Sequence, residues 1–228
     1  MLNIQDLRVS YGMSEVIHGI SLSVGENETV AIMGRNGMGK TTLFKSMIGI
    51  LPAQGEISLG EQKLSGTQSY QRVRNGLAYV PQGRLVFPTL TVEENIRTGL
   101  EATGRKTIPD DIYSLFPVLH EMRHRKAGNL SGGQQQQLAI GRALAADPKV
   151  LLLDEPTEGI QPSIIKQLAK TLNEIKQLRN LSIVVSEQVL SFALAVADRV
   201  MVIEKGNIVH EVDGKTTNPD EIARYLAV

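Results

Sequence analysis

Residues 34–42 read Gly34-Arg35-Asn36-Gly37-Met38-Gly39-Lys40-Thr41-Thr42. They follow Thr29 to Met33, a run without polar alternation, and open a stretch from Thr41 to Ile50 that reads as a helix. A buried strand feeding a Gly-rich turn and then a helix is the context in which this spacing becomes a phosphate cradle. The glycines at 34, 37 and 39 let the backbone curl so that its N–H groups face an anion, and the helix N-terminus adds positive dipole. Lys40 is then placed to reach β- and γ-phosphates, the Thr41 hydroxyl to coordinate Mg²⁺, and Thr42 to add a phosphate contact. The competing reading is a Gly-rich turn that binds nothing.

Val150-Leu-Leu-Leu-Asp154-Glu155 is a second apolar strand, ending in two acids. In an open α/β sheet such a pair lies at the carboxyl edge, where ligands bind. Asp154 is expected to face the Mg²⁺ through water, and Glu155 to take a proton from, or orient, the water that attacks a γ-phosphate. Taken alone, the pair also reads as a helix N-cap in a βα loop. Ser131-Gly132-Gly133-Gln134 has capping-box form ahead of a periodic helix containing Leu138, Ile140, Ala143 and Leu144. Its Gly-Gly exposes N–H groups at a positive helix end, a second phosphate-binding surface in one chain. One nucleotide does not need two such surfaces from one protomer, so the Ser131–Gly133 end is expected to close over the nucleotide held by another subunit.

The elements that must hold these residues follow from periodicity. Leu7, Val9 and Tyr11, then Ile20, Leu22 and Val24, then Ile57 and Leu59 alternate with polar residues, which predicts half-buried, antiparallel strands. From about Leu90 to Ala146 the pattern turns helical. Thr91-Val-Glu-Glu94 has capping-box form, and Asp110 to His120 reads as one helix. Afterwards strands (Val150 to Leu153, Ile183 to Val185, Val200 to Ile203) alternate with helices (Ile164 to Arg179, Phe192 to Ala197), which predicts a parallel sheet. The expected fold is therefore α/β: a parallel-sheet core of the P-loop NTPase (RecA-like) kind, with an antiparallel β subdomain and an inserted α-helical subdomain. One domain over 1–228 is expected, with core and β subdomain at about 1–88 and 147–228 and the helical subdomain at about 89–146.

Composition bounds the rest. The chain has 228 residues, 24 Lys+Arg against 24 Asp+Glu, 42% hydrophobic residues and no cysteine. That is a globular composition with zero net charge, which removes the simplest argument for a nucleic-acid partner. Disulfides, thiolate metal sites and a Cys nucleophile are excluded. The N-terminus begins strand-like alternation at once, so no signal peptide is read there. The apolar stretch Val189 to Ala197 is far shorter than the roughly 20 residues needed to span a bilayer. His120 and His124 have the spacing to share a helix face, and a solvated face is the expectation rather than zinc. The basic run Arg123-His-Arg-Lys126 reads as solvated, with contact to a membrane subunit as a second option.

Phosphate loop, Leu130 to Gln134 and Val150 to Glu155, in this order and spacing, resemble the ATP-binding subunit of an ABC transporter along essentially the whole chain. The resemblance implies ATP and Mg²⁺ as ligands, ATP hydrolysis as activity, and a peripheral position on the cytoplasmic face of the inner membrane. Tyr11 would correspond to the aromatic that stacks on adenine, although a packed strand residue is an equal alternative. Gln82, in Tyr79-Val-Pro-Gln82, would contact Mg²⁺ and the attacking water, the alternative being a polar turn residue after Pro81. Residues from about Gly83 to Glu94 would border the groove that receives a membrane subunit. Two positions depart from the family pattern: Gln188 stands where a switch histidine is common, and Gln161 where an aspartate is usual. A glutamine can donate to a γ-phosphate but cannot carry a proton. Glu187-Gln188 and Leu151 to Thr157 resemble the branched-chain amino acid and amide importer group. Leu130 to Leu138 and Asp154 to Ser163 resemble most closely the subunit of bacterial urea importers. Partners implied are a sister ATPase or second copy, two membrane permeases and, indirectly, a periplasmic solute-binding protein.

Overall fold

The structure, a computed structural model, describes residues 1–226. Strands β1 (Leu2–Tyr11), β2 (Ser14–Val24), β4 (Gln54–Leu59) and β5 (Gln62–Lys63) make an antiparallel sheet in the order β2-β1-β4-β5. Strands β3 (Thr29–Met33), β6 (Leu77–Val80), β7 (Val150–Asp154), β8 (Ser182–Glu187), β9 (Arg199–Glu204) and β10 (Asn207–Asp213) make the main sheet, in the order β10-β9-β3-β8-β7-β6. Its strands run parallel except β10, which pairs antiparallel with β9 at the edge.

Every residue of β3, β7 and β8 is buried, the polar ones at their ends (Thr29, Asp154, Ser182, Ser186, Glu187) along with the apolar runs between, as in strands covered on both faces. The two faces separate with period two. Val30, Ile32, Leu152 and Val184 pack with Leu43 and Phe44 of α1 (Lys40–Met47) and with the antiparallel sheet. Ala31, Met33, Leu153 and Val185 pack instead with Leu168 and Leu172 of α7 (Pro162–Arg179) and with the helical region. The sheet is thus the middle layer, and the carboxyl ends of β3, β7 and β8 come together at one edge.

The helical region contains α3 (Val92–Gly99), α4 (Asp110–Leu115), α5 (Pro117–Glu121) and α6 (Gly132–Leu144). Both expected capping boxes form: Thr91 with Glu94, and Ser131 with Gln134. The carbonyls of Arg125 and Arg123 also accept the N–H groups of Val92 and Glu93, so the basic run caps α3 through its backbone. Helix α3 lies so close on α6 that a Cβ at Gly99 would stand 2.1 Å from the Arg142 carbonyl oxygen, which requires glycine there. The helix expected over Asp110 to His120 is two helices. Pro117 pushes Phe116 out of helical geometry (φ −129°, ψ 73°), ending α4 and starting α5 with proline at its first position. Because α5 stops at Glu121, His124 lies outside any helix and shares no helix face with His120. Helix α1 stops at Met47, short of Ile50, because the chain turns at Gly49 with φ +82°. Sequence periodicity did not reveal α2 (Ser69–Arg74), β10 or α9 (Pro219–Leu226); α8 (Leu190–Val196) falls where a helix was expected.

An ion-pair cluster locks α7 to the start of β9. Asp198 accepts from Lys176 and from Lys215, the latter at 2.8 Å, and also from the Thr29 N–H. Burial would push the Asp198 carboxyl up, but the hydrogen bonds from both lysines and the Thr29 backbone outweigh it and hold the pKa at about 2. The folded value lies below the ordinary one of 3.8, so the stabilisation is present above pH 4 and is lost as pH falls toward 2. Asp198→Asn is expected to remove about 1–2 kcal/mol of stability at pH 7 and nearly none at pH 2. Urea unfolding at the two pH values checks this; an equal loss at both would refute the titration.

Candidate active site

The phosphate loop leaves β3 and enters α1 at the carboxyl edge of the main sheet. Gly37 and Gly39 sit at φ +81° and +103°, conformations that L side chains rarely adopt. Gly34 is required for a different reason: a Cβ there would stand 2.6 Å from the Ile203 carbonyl oxygen. The Lys40 ammonium is 3% exposed, donates to the carbonyls of Gly34 (2.6 Å) and Arg35 (3.0 Å), and pairs with Glu155 at 3.0 Å. Met38 packs toward the core, and its sulfur accepts the Lys205 N–H.

Glu155 leaves β7 with φ +45°, a conformation costly for a residue with a side chain, and it is held there by its N–H donating to the Ser186 carbonyl and hydroxyl, both at 3.1 Å. Asp154 is buried; its carboxylate accepts the Ser186 hydroxyl at 2.6 Å and the Tyr79 hydroxyl at 3.1 Å. Burial first, then the charge and hydrogen bond of Asp154, push the Tyr79 phenol far up, so it stays a donor at every working pH. Gln188, at the end of β8, donates through its side-chain amide to Asn36 Oδ1 (2.8 Å) and Glu155 Oε2 (3.0 Å). It therefore bridges the phosphate loop and the acidic pair. The structure places no aspartate-like acceptor at Gln161, which stands at the N-terminus of α7 without capping it through its side chain.

A cavity of about 190 Å³ opens among Asn36, Gly37, Gly39, Lys40, Thr41, Thr42, Gln82 and Glu155, with Val16 of β2 as a wall. It is smaller than the roughly 300–1,000 Å³ of a complete small-ligand site, so it suits a polyphosphate tail rather than a whole nucleotide. Tyr11 stands outside it, half exposed, with its hydroxyl 3.4 Å from Thr42 Oγ1. It is thus not packed on the sheet, and its ring is available to a flat group carried by that tail. Ser131, Gly132, Gly133 and Gln134 do not line this cavity. Gly133 instead packs on α7, where a Cβ would stand 2.8 Å from Ile164 Cγ2. Among the described residues no cluster of His, Asp and Glu could hold a metal by itself. The Thr41 hydroxyl and the Gln82 amide, facing one cavity, fit a Mg²⁺ that arrives with phosphates as its other ligands. Sequence reasoning missed Val16, Tyr79 and Ser186 as parts of the site; Val16 reads as ordinary strand alternation, and Tyr79 and Ser186 sit in or beside short buried apolar runs that carry no signal of their own.

A sequence model described as ABC transporter matches residues 17–158. The chain is 39% identical over 232 residues to the high-affinity branched-chain amino acid transport ATP-binding protein BraG of Pseudomonas aeruginosa, covering 99% of both chains. It is 31% identical over 215 residues to the lipopolysaccharide export system ATP-binding protein LptB of Escherichia coli K12, covering 91% of this chain and 88% of that one. Among solved structures, a nucleotide-free ATP-binding cassette from an ABC transporter superposes with a TM-score of 0.84 at 26% identity, over 100% of this chain and 95% of that one. A dimeric cassette in a post-hydrolysis state with ADP and Pi has the same fold (TM-score 0.85, 22% identity, covering 95% of this chain and 100% of that one). With the phosphate loop, the acidic pair and the bridging amide already gathered at one sheet edge, these likenesses show that the chain belongs to the ABC transporter family and is an ATP-binding, ATP-hydrolysing subunit of it.

Proposed function

We propose that the chain powers import of a small polar solute by pairing with a second ATP-binding subunit around ATP and releasing it after hydrolysis. The observation that carries this reading is the single cavity in which Lys40 and Glu155 face each other, with Gln188 reaching both Asn36 and Glu155. In this reading Gly34 to Thr42 hold the phosphates, Lys40 leaves Glu155 for the β/γ-phosphate charge, and Tyr11, outside the cavity, stacks on the base. Thr41 and Gln82, with Asp154 behind them, would hold Mg²⁺, whose chemistry there is to neutralise the phosphate oxygens. Glu155 takes a proton from water as its oxygen bonds to the γ-phosphorus, and the bond to the β–γ bridging oxygen breaks, giving ADP and phosphate. The Ser131–Gln134 end, absent from the cavity of its own chain, completes the partner's site, which accounts for a cavity too small for the whole nucleotide.

Residues 89–146 act in this reading as a helical subdomain. Between it and the core runs a groove of about 910 Å³, lined by Ile50, Tyr70, Leu85, Phe87, Ala102 and Arg142 among others. Its apolar lining beside Gln82 fits a short helix of a membrane permease, and with that partner the chain would sit peripherally at the inner face of the membrane. Among the described residues no helix is long and apolar enough to cross a bilayer.

For the solute, the segments Leu130 to Leu138 and Asp154 to Ser163 favour urea or a short amide, supplied by a periplasmic binding protein. The likeness to BraG favours a second reading, branched-chain amino acids. Uptake of labelled urea and labelled leucine, compared before and after deletion of the gene for this chain, separates them. Loss of urea uptake alone supports the first, loss of leucine uptake alone the second, and loss of neither refutes both.

Gln188 gives a narrower test. Its amide N–H₂ donates to Asn36 and Glu155 and would turn one of these donors to an arriving γ-phosphate, so Gln188→Ala is expected to lower kcat by about 10- to 100-fold while ADP affinity barely moves. Gln188→His should retain turnover, since imidazole supplies a donor at similar reach. Steady-state kinetics on the assembled transporter with separate ADP titrations check this; wild-type kcat in Gln188→Ala makes the residue a surface amide.

A further inference from the structure

The carboxyl of Glu187 is buried to within 1% of complete, yet the hydrolysis chemistry above does not use it. It lies one residue before Gln188, at the last position of β8. Its Oε1 accepts the N–H of Thr157, two residues beyond Glu155, at 3.1 Å. Its Oε2 accepts the N–H groups of Gln188 (2.9 Å) and Val189 (3.2 Å). Through its backbone the same residue pairs with Met33 of β3, and its carbonyl accepts the Gly34 N–H at 3.4 Å. One residue therefore touches the first glycine of the phosphate loop, the loop that follows the acidic pair, and the turn that presents Gln188.

We propose that Glu187 is a positioning residue for ATP hydrolysis, its two carboxyl oxygens fixing the loop that bears Glu155 against the turn that bears Gln188. Both oxygens are needed because Oε1 holds the loop after the acidic pair and Oε2 holds the turn that presents Gln188; the Thr157 side chain adds a further hydrogen bond to those from the backbone N–H groups. Among the described residues no other acceptor reaches the N–H groups of Thr157 or Gln188, so loss of the carboxyl leaves the buried Thr157 donor and the part-buried Gln188 donor unpaired and frees both segments. Burial pushes this carboxyl up from the ordinary range, and the Thr157 side chain and then the backbone N–H groups pull it partly back, as befits a group kept for its acceptors. Glutamine has the same shape but one acceptor, and its NH₂ must face an N–H on one side. Aspartate keeps both acceptors but is one methylene too short to reach both sides. A displacement of about 1 Å between Glu155 and Gln188 is enough to cost turnover without touching nucleotide binding.

The inference rests on the hydrolytic reading of the site, and the experiment separates the two. ATP turnover, KM for ATP, ADP affinity and melting temperature are measured on the assembled transporter carrying wild-type chain, Glu187→Gln, Glu187→Asp, Gln188→Ala, or Glu187→Gln with Gln188→Ala. Rates are expressed per ADP-binding site, so that a poorly folding variant is still scored on its folded fraction. Absence of turnover in the wild type refutes the hydrolytic reading itself. If the proposal holds, Glu187→Gln lowers kcat about 10- to 100-fold with KM and ADP affinity within about 2-fold, and Glu187→Asp lies between it and wild type. The double variant then loses little beyond the larger single loss, since both changes break one unit. Wild-type kcat in Glu187→Gln, or a double variant whose losses multiply fully, overturns it, whatever happens to the melting temperature.

Discussion

In the Glu155→Gln protein, ATP turnover is expected to fall by about 10²- to 10⁴-fold, the range over which a positioned base accelerates a proton transfer. Binding is expected to persist. The Lys40 ammonium keeps its bonds to the Gly34 and Arg35 carbonyls, and the strained backbone at residue 155 is fixed by Ser186 rather than by the side chain itself. The amide retains one oxygen, enough to accept from Lys40 or from Gln188 but not to take a proton. With ATP bound and unspent, two copies, or this chain and its sister subunit, should remain paired. Single-turnover kinetics with size-exclusion chromatography in ATP and Mg²⁺ provide the check. Undiminished hydrolysis would remove Glu155 from the chemistry, and a variant still monomeric in ATP with and without the sister subunit would remove the composite site.

Lys40→Ala should have two separable effects. Toward nucleotide, it removes the point charge that meets the β- and γ-phosphates, at a cost of about 2–5 kcal/mol in affinity or transition-state stabilisation. Without nucleotide, it strands the Glu155 carboxylate, which is 9% exposed and among the described residues retains only the Gln188 amide as side-chain donor. Breaking one side of a buried pair typically costs about 3–5 kcal/mol. The nucleotide-free Lys40→Ala protein should therefore melt well below wild type, and adding Glu155→Gln should restore much of the loss by removing the orphaned charge. Thermal melts of the four proteins of this cycle decide it. Simple additivity would mean that the 3.0 Å contact carries no coupling.

The sequence made the main sheet legible because each central strand contains an apolar run (Val30 to Met33, Val150 to Leu153, Ile183 to Val185), whereas the strands of the antiparallel sheet alternate, a difference that survives without any alignment. Phosphate loop and acidic pair were legible for the same reason, each being polar chemistry attached to the end of such a strand. What escaped was set by geometry across the sheet. Ser186 and Tyr79 reach Asp154 only because β8 and β6 flank β7 in the folded order, whereas the chain separates them by 32 and 75 positions. The break at Phe116 was in plain view as a residue preceding proline, but the helical periodicity on both sides masked it. Edge strand β10 and the short α2 lack a continuous apolar face, so pattern alone had little to find.

The groove between core and helical region also bears on how the chain is made. Ile50, Tyr70, Leu85 and Phe87 are each about half exposed or more around it. A concave apolar surface of this size is adhesive in water, and on a copy that has met no partner it stays open. Surplus copies are then expected to bind chaperones, one another or proteases, so the amount of this chain in a cell should follow the supply of whatever covers the groove. The face that equips the molecule to join an assembly would thereby act as a gauge of stoichiometry, clearing subunits that fail to find a place.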